Sequence, residues 1–325
     1  MSKYYLLFSM LFLTIISPCS YGQGFSGSYF NWDTPSGGNF SAGGTPYGFL
    51  APYGNSFGYN NCQNWSTMDM NGDNKPDLVV TAQFNSTGSY NEQFGVGTNP
   101  YWQVYLNTGN AFAATPINWN TPVGGNYSSG GTPYGYLAPY GTSFNYANCQ
   151  NWGVVDMNDD NMPDLVVTSQ YNSAGTYNEQ FGAGSSPYWK VYLNTGTGFS
   201  LSPLNWNTPI GGNYSSVGTP YGYLTLSGNS YGYTNCQHWS IADMDGDHKP
   251  DLVVTAQYNS VGTYNEQFGA GSSPYWKVYQ NNGSGFSSTA QTWSTPVGGN
   301  YSNSAVAYGY LNMSGISYGY PDCEN

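Results

Sequence analysis

The chain alternates short apolar runs with stretches rich in glycine, tyrosine and amides, and no long helical period is visible. In one representative unit we expect strands at residues 152–157, 165–171 and 188–193, and a weaker fourth strand at 199–206. The second strand has a β-branched core and the third alternates apolar with polar positions, a pattern typical of strands. Residues 209–235 then connect to the next unit, and we expect a long hairpin or an elaborated loop there.

This unit recurs with a period of 87 residues. All ten tryptophans and four of the five cysteines keep that spacing. Only one unit copied several times would hold such register. The four series are Trp32, Trp119, Trp206 and Trp293; Trp65, Trp152 and Trp239; Trp102, Trp189 and Trp276; and Cys62, Cys149, Cys236 and Cys323.

Four consecutive antiparallel strands per unit describe a propeller blade. We therefore predict an all-β fold, a β-propeller-type array of four-stranded antiparallel blades built on 87-residue repeats. The repeat region spans 23–325, with acidic-loop blades at approximately 62–148, 149–235 and 236–322 and partial repeats at both ends. Since closed propellers have roughly four to eight blades, we expect an incomplete or open array. Two small blades per repeat, or closure by self-association, are the alternatives.

Residues 1–22 have the features of a secretory signal peptide. Lys3 precedes an apolar stretch, and Ser20 and Gly22 place small residues at positions −3 and −1 of a cleavage site. The apolar run ends at Pro18 and is shorter than the ~20 residues of a membrane-spanning helix. We expect a secreted or cell-surface chain with no membrane insertion after cleavage.

The charge balance argues against nucleic acid and anionic membrane surfaces as partners. The chain has five basic residues, all lysine, and a formal net charge of −12. Both kinds of partner attract proteins with a basic surface.

Three acidic loops carry the candidate chemistry. Alternate residues in a tight loop can point inward together, and position 7 would offer its backbone carbonyl, which accommodates lysine and methionine alike. The predicted metal ligands at positions 1, 3, 5, 7 and 9 are Asp69, Asn71, Asp73, Lys75 and Asp77; Asp156, Asn158, Asp160, Met162 and Asp164; and Asp243, Asp245, Asp247, Lys249 and Asp251.

Electrostatic repulsion within these loops indicates which ion they bind. Two carboxylates ~4 Å apart repel by ~4 kcal/mol at an effective dielectric of ~20, so three per loop would cost roughly 12 kcal/mol without a cation. Oxygen ligands in a flexible loop favour Ca²⁺ over Mg²⁺, which demands stricter geometry, and zinc would need a Cys/His cluster. We predict about three Ca²⁺ ions, one per loop. The alternative is three solvated acidic turns.

The loops differ from an EF-hand and resemble another family. They lack a glutamate at position 12 and lead into a strand instead of a helix. The pattern D-x-[ND]-x-D-x-x-x-D-L-V-V, followed by W-x-V-Y-x-N-x-G-x-x-F, resembles the FG-GAP/VCBS repeats of integrin α-like calcium-binding propellers. The resemblance implies a calcium loop that joins the first two strands of each blade, with the ligands named above.

Two departures from that family pattern concern backbone conformation. Position 6 often holds glycine in the family, but here it holds Asn74, Asn161 and His248, residue types that tolerate or are enriched in the left-handed conformation. Asp159 stands where the other loops have Gly72 and Gly246. We expect strain or an altered affinity in the second loop.

Catalytic chemistry finds little support in the sequence. We interpret His238 and His248 as variants of turn or surface positions, because asparagine occupies both places in the other copies. A recurrent glutamate could bind a ligand or accept backbone hydrogen bonds in a turn, and we expect the turn. It is Glu92, Glu179 and Glu266.

Cysteine pairing and ligand recognition stay open at this level. We expect buried single thiols, with disulfides between neighbouring copies as the alternative. We expect the tryptophans to pack between blades, whereas the loop tyrosines either pack or stack on sugar rings. The predicted function is a secreted calcium-binding adhesion or recognition module for a glycan or an extracellular protein. The alternatives are a polysaccharide-active enzyme and a purely structural surface array.

Overall fold

The structure is a computed structural model that describes parts of the chain. These are residues 31–34, 53–54, 64–84, 91–95, 99–122, 140–141, 151–171, 178–182, 186–209, 227–228, 238–258, 265–269 and 273–295. The expected signal peptide, the four repeated cysteines and most of the tyrosine-rich connectors lie outside them. The described residues contain no helix long and apolar enough to cross a membrane.

Three antiparallel sheets make up the described part of the chain, which is all-β as expected. Sheet 1 consists of β1 (Tyr53–Gly54), β2 (Asn64–Met68), β3 (Asp77–Phe84), β4 (Asn91–Gln93), β5 (Tyr101–Tyr105) and β6 (Ile117–Asn120). Sheet 2 consists of β7 (Tyr140–Gly141), β8 (Asn151–Val155), β9 (Asp164–Tyr171), β10 (Asn178–Gln180), β11 (Tyr188–Tyr192) and β12 (Leu204–Asn207). Sheet 3 consists of β13 (Ser227–Gly228), β14 (His238–Ala242), β15 (Asp251–Tyr258), β16 (Asn265–Gln267), β17 (Tyr275–Tyr279) and β18 (Gln291–Ser294).

Each sheet has four strand positions, as a propeller blade does. In sheet 1 these are β2, β3, the pair β4 and β5, and β6, while the two-residue β1 adds to the free edge of β2. β4 and β5 share one position because both pair with the long β3, one after the other. Where β4 ends and β5 begins, the rings of Phe94 and Tyr101 stack at 5.6 Å. None of the sheets closes into a barrel within the described residues.

The strands at the third position of each sheet show that the expectation of a turn at the recurrent glutamate is wrong. Glu92, Glu179 and Glu266 lie on β4, β10 and β16, paired with Gln83, Gln170 and Gln257, and not in turns. The fourth strand is also shorter than expected, since residue 199 belongs to the turn after β11 and the strand begins at Leu204.

The sheets stack face to face in chain order. One apolar cluster joins sheets 1 and 2, and a second joins sheets 2 and 3. β9 is apolar on both faces because Leu165 and Val167 face sheet 1 while Val166 faces sheet 3. Successive side chains of a strand point to opposite faces, so the continuous Leu-Val-Val run is the signature of a sheet covered on both sides.

Backbone contacts fix the spacing between neighbouring sheets. The amide of Phe199 donates to the Asn120 carbonyl at 2.9 Å, and Phe286 repeats this bond with Asn207. A methyl group on Gly198 would lie 3.2 Å from the Asn120 nitrogen, so glycine permits the close approach. The Phe199 ring also meets Trp102 of sheet 1 edge to face at 5.2 Å.

Burial of the tryptophans follows this stacking. Trp102, Trp119, Trp189 and Trp206 are fully buried, which confirms the packing role expected for them. Trp293 of sheet 3 is equivalent to Trp206 but is 39% exposed. The outer face of sheet 3 is therefore the least covered apolar face among the described residues.

Replacing Trp206 and Trp293 by alanine should give unequal losses of stability. Large-to-small changes of a buried tryptophan cost ~3–5 kcal/mol because they remove buried area and leave a cavity. We expect that range for Trp206→Ala and less than half of it for Trp293→Ala, measured by urea unfolding. Equal losses would mean that the outer face of sheet 3 is covered.

Candidate metal centre

Each acidic loop closes the hairpin between the first two long strands of its sheet. Loop 1 covers residues 69–77, loop 2 residues 156–164 and loop 3 residues 243–251. The predicted ligands therefore lie together at one end of each sheet. Loop 3 is largely exposed at positions 1 to 7, whereas loops 1 and 2 are half-buried there.

The aspartate at position 1 organises the backbone of each loop. In loop 1, Asp69 accepts hydrogen bonds from the amides of Gly72, Asp73 and Asn74 at 2.8, 3.1 and 2.6 Å. Asp156 and Asp243 accept the equivalent three bonds in loops 2 and 3. Such side-chain bonds to nearby amides stabilise turns, and since Oδ1 accepts most of them while Oδ2 accepts one, Oδ2 is the freer oxygen.

Position 6 adopts the left-handed conformation, as the sequence led us to expect. The φ angles are 63° for Asn74, 64° for Asn161 and 68° for His248. Asp159 also has a positive φ, 66°, where the other loops have Gly72 and Gly246. A non-glycine residue in this region costs about 1 kcal/mol, so loop 2 carries the strain predicted at this position.

The aspartate at position 9 has a different environment from the others. Asp77, Asp164 and Asp251 are essentially buried, and both carboxylate oxygens of each accept a backbone amide. Asp164 accepts from Met157 at 3.1 Å and from Asn194 at 2.8 Å. The first bond closes the loop, and the second fastens it to the turn after the third strand. Asp77 and Asp251 do the same in their sheets.

Burial raises the pKa of the position 9 carboxyls. The pKa of Asp164 is raised to about 7 because burial removes solvent from the charged form, although its two amide bonds oppose the shift. The negative charges of Asp160 and Asp156 add to the rise. Burial also raises the pKa of Asp77 and of Asp251. A positive charge beside these carboxylates would favour their ionised form.

Loop 3 contains a convergent acidic triad. Asp243, Asp245 and Asp247 each bring one carboxylate oxygen within 4.8 Å of the other two. Asp251 is not part of this group, so positions 1, 3 and 5 are the ones that converge. Three carboxylate oxygens at this separation could bind a metal ion.

Loops 1 and 2 have asparagine in place of the middle carboxylate. The Asn71 side-chain oxygen accepts the amide of Asp73 at 3.1 Å, and Asn158 occupies the same place in loop 2. The Asn158 amide group donates to the Asp160 carboxylate at 3.1 Å. An amide oxygen is also a calcium ligand, so all three loops keep an oxygen donor at position 3.

Lysine at position 7 partly offsets the negative charge of two loops. Lys75 contacts Asp73 at 3.1 Å, and Lys249 contacts Asp247 at 2.6 Å. These hydrogen-bonded lysines hold the pKa of Asp73 and of Asp247 below the usual value. Loop 2 has Met162 at this position, so no lysine of its own offsets its carboxylates.

The sequence analysis does not predict the roles of two residue types near the loops. One is methionine at position 2, Met70 or Met157, whose side chain is fully buried between sheets. The other is the asparagine after the third strand, Asn194 or Asn281, which is buried and bonded to two loops. Their recurrence at the 87-residue spacing was the available signal.

The histidines behave as turn or strand residues. His248 is exposed in loop 3, where its backbone amide donates to Asp243 at 3.0 Å. His238 begins β14. Within the described part of the chain, the acidic loops are the cluster of polar side chains that recurs in all three sheets.

No protein-family model matches the chain, and comparison with curated proteins finds no significant match.

In the presence of EDTA, the free energy of unfolding should fall as pH rises from about 4 to 7. The folded pKa of Asp164 lies above the unfolded value of 3.8, so the folded chain binds this proton more tightly. The resulting stabilisation is complete below the unfolded pKa and is lost as pH rises through the folded pKa. The loss should be on the order of 2–4 kcal/mol for a three-unit shift.

Urea unfolding at a series of pH values measures this change. The Asp164→Asn variant provides the control, because it cannot ionise and its slope should be flatter than that of the wild type. A wild-type stability that increases with pH over this window would contradict the assignment.

Proposed function

We propose that this chain is a secreted calcium-binding repeat protein that acts as an adhesion or recognition module. The observation that carries the proposal is the convergence of Asp243, Asp245 and Asp247, whose carboxylate oxygens lie within 4.8 Å of one another. The same loop backbone recurs in loops 1 and 2. A cation is the simplest means to offset repulsion of ~4 kcal/mol per carboxylate pair.

The donor set favours calcium among the divalent cations. Carboxylate oxygens at positions 1 and 5, an amide or carboxylate oxygen at position 3, and a carbonyl at position 7 form an all-oxygen site. Ca²⁺ accepts such ligands with variable geometry, whereas Mg²⁺ retains water and a strict octahedron. Position 9 would support the site by holding the loop closed, and it would reach the ion only alongside its two amide bonds.

The resemblance to FG-GAP/VCBS repeats supports the same assignment. It includes the acidic loop at the first hairpin and the W-x-V-Y-x-N-x-G-x-x-F pattern after it. The signal-like residues 1–22 support export to a compartment in which calcium is plentiful. Recognition of a glycan or protein is inferred from the uncharged, tyrosine-rich and amide-rich composition of the connectors.

Calorimetric titration should show about three calcium ions per chain, one for each loop. We also expect calcium to raise the melting temperature, because a ligand that binds only the folded state stabilises it. The double variant Asp243→Asn, Asp247→Asn should lose one equivalent and keep the other two. A matched control replaces two aspartates that lie outside the loops, Asp33 and Asp322, by asparagine. No uptake of calcium by the wild type would refute the proposal.

Binding to a glycan array should require calcium if the loops hold the recognition surface in place. We expect signal in calcium buffer and its loss after EDTA, with recovery when calcium is restored. An unchanged signal in EDTA would show that glycan binding does not depend on the metal. Release of reducing ends from a bound polysaccharide would instead favour the enzyme alternative.

A further inference from the structure

Loops 1 and 2 are each hydrogen-bonded to the sheet that follows them. The side-chain amide of Asn194, in sheet 2, donates to the Met70 carbonyl of loop 1 at 2.9 Å. Asn281 of sheet 3 donates to the Met157 carbonyl of loop 2 at 3.0 Å. Both asparagines are buried, with 4% and 3% of their surface exposed. Buried hydrogen bonds of this kind are costly to leave unmade.

The same asparagines also hold the loop of their own sheet. The Asn194 backbone amide donates to Asp164, and its side chain donates to the Pro163 carbonyl at 3.2 Å. Asp164 in turn accepts the amide of Met157, whose carbonyl accepts Asn281. One hydrogen-bonded path therefore runs from loop 1 through loop 2 to loop 3.

Loops 1 and 2 are also close to each other at their tips. A methyl group on Gly72 of loop 1 would lie 3.3 Å from Cγ of Met162 in loop 2. Position 4 of loop 1 thus faces position 7 of loop 2, where the carbonyl ligand is expected.

The methionine at position 2 connects this path to the core between the sheets. Met70 donates its amide to Asp77, accepts Asn194 at its carbonyl, and buries its side chain in the cluster between sheets 1 and 2. Met157 has the same three roles one sheet later. A change in the backbone conformation of one loop therefore alters contacts both with the adjacent sheet and in the apolar core between the two sheets.

We propose that Asn194 and Asn281 are positioning residues that couple the three loops, so that a cation in one loop raises the affinity of its neighbour. The proposal rests on the calcium binding proposed above. An occupied loop holds its position 2 carbonyl in place, which orders the asparagine and the position 9 aspartate of the next loop before the second ion arrives. Couplings of this type change affinity by ~5-fold or more.

Asn107 of sheet 1 provides a matched control. Its side chain donates to the Pro76 carbonyl at 3.0 Å and accepts the amide of Gly109, as Asn194 does with Pro163 and Gly196. Among the described residues it bonds to no loop of another sheet. Alanine at either position removes the same local bonds, but only Asn194→Ala removes a bond between sheets.

The test uses the full-length chain with loop 3 disabled by Asp243→Asn and Asp247→Asn, which leaves two sites. Calorimetric titration with calcium should show positive cooperativity in this background. Asn194→Ala should abolish the cooperativity and weaken the second binding step ~5-fold, whereas Asn107→Ala should retain it. The mirror test disables loop 1 by Asp69→Asn and Asp73→Asn and replaces Asn281, which guards against a variant that fails to fold.

A second readout in EDTA separates this inference from the calcium proposal. The urea midpoint should fall further for Asn194→Ala than for Asn107→Ala, because the Met70 carbonyl is left buried without its donor. If the wild type binds no calcium, the proposed function fails. The urea midpoints in EDTA then test only whether the Asn194 bond to Met70 stabilises the contact between sheets 1 and 2. If it binds calcium and Asn194→Ala remains as cooperative as Asn107→Ala, the coupling is refuted.

Discussion

The structure depends on a buried aspartate at the end of each acidic loop. Asp164 shows its role most clearly, since its two oxygens accept one amide from inside the loop and one from the turn after the third strand. This carboxylate supplies hydrogen-bond acceptors for backbone amides that would otherwise have no partner in a nine-residue hairpin loop. Its burial disfavours the charged form that makes the best acceptor. A cation bound at the nearby positions 1, 3 and 5 would offset that penalty.

The stacking of sheets and the arrangement of loops have a common origin. Each sheet presents apolar side chains on both faces, so its neighbours must approach closely enough for Phe199 to meet Trp102. The same approach brings the turn at Asn194 against the loop of the preceding sheet. Packing between sheets and geometry at the loops are therefore two consequences of one repeated contact.

Much of the fold and of the loop geometry could be predicted because the repeat presents the same local sequence pattern three times. Strand positions, the acidic loops and the left-handed Asn74 follow from local chemistry. The split third strand was missed because Asn-Glu-Gln is polar and has the composition of a turn. The contact of Asn194 with Met70 joins residues 124 positions apart, and no local pattern encodes such a pair. The sequence predicts position 9 as a metal ligand, and the backbone amides that its carboxylate accepts become visible only in three dimensions.

The most direct test of the account is a crystal structure grown with calcium, with the ions located by anomalous scattering. The account predicts one peak in each loop, coordinated by positions 1, 3 and 5 and by the carbonyl of position 7. It also predicts that Lys75 and Lys249 withdraw from Asp73 and Asp247. Loops without peaks, in which both lysines keep their contacts with these carboxylates, would contradict it.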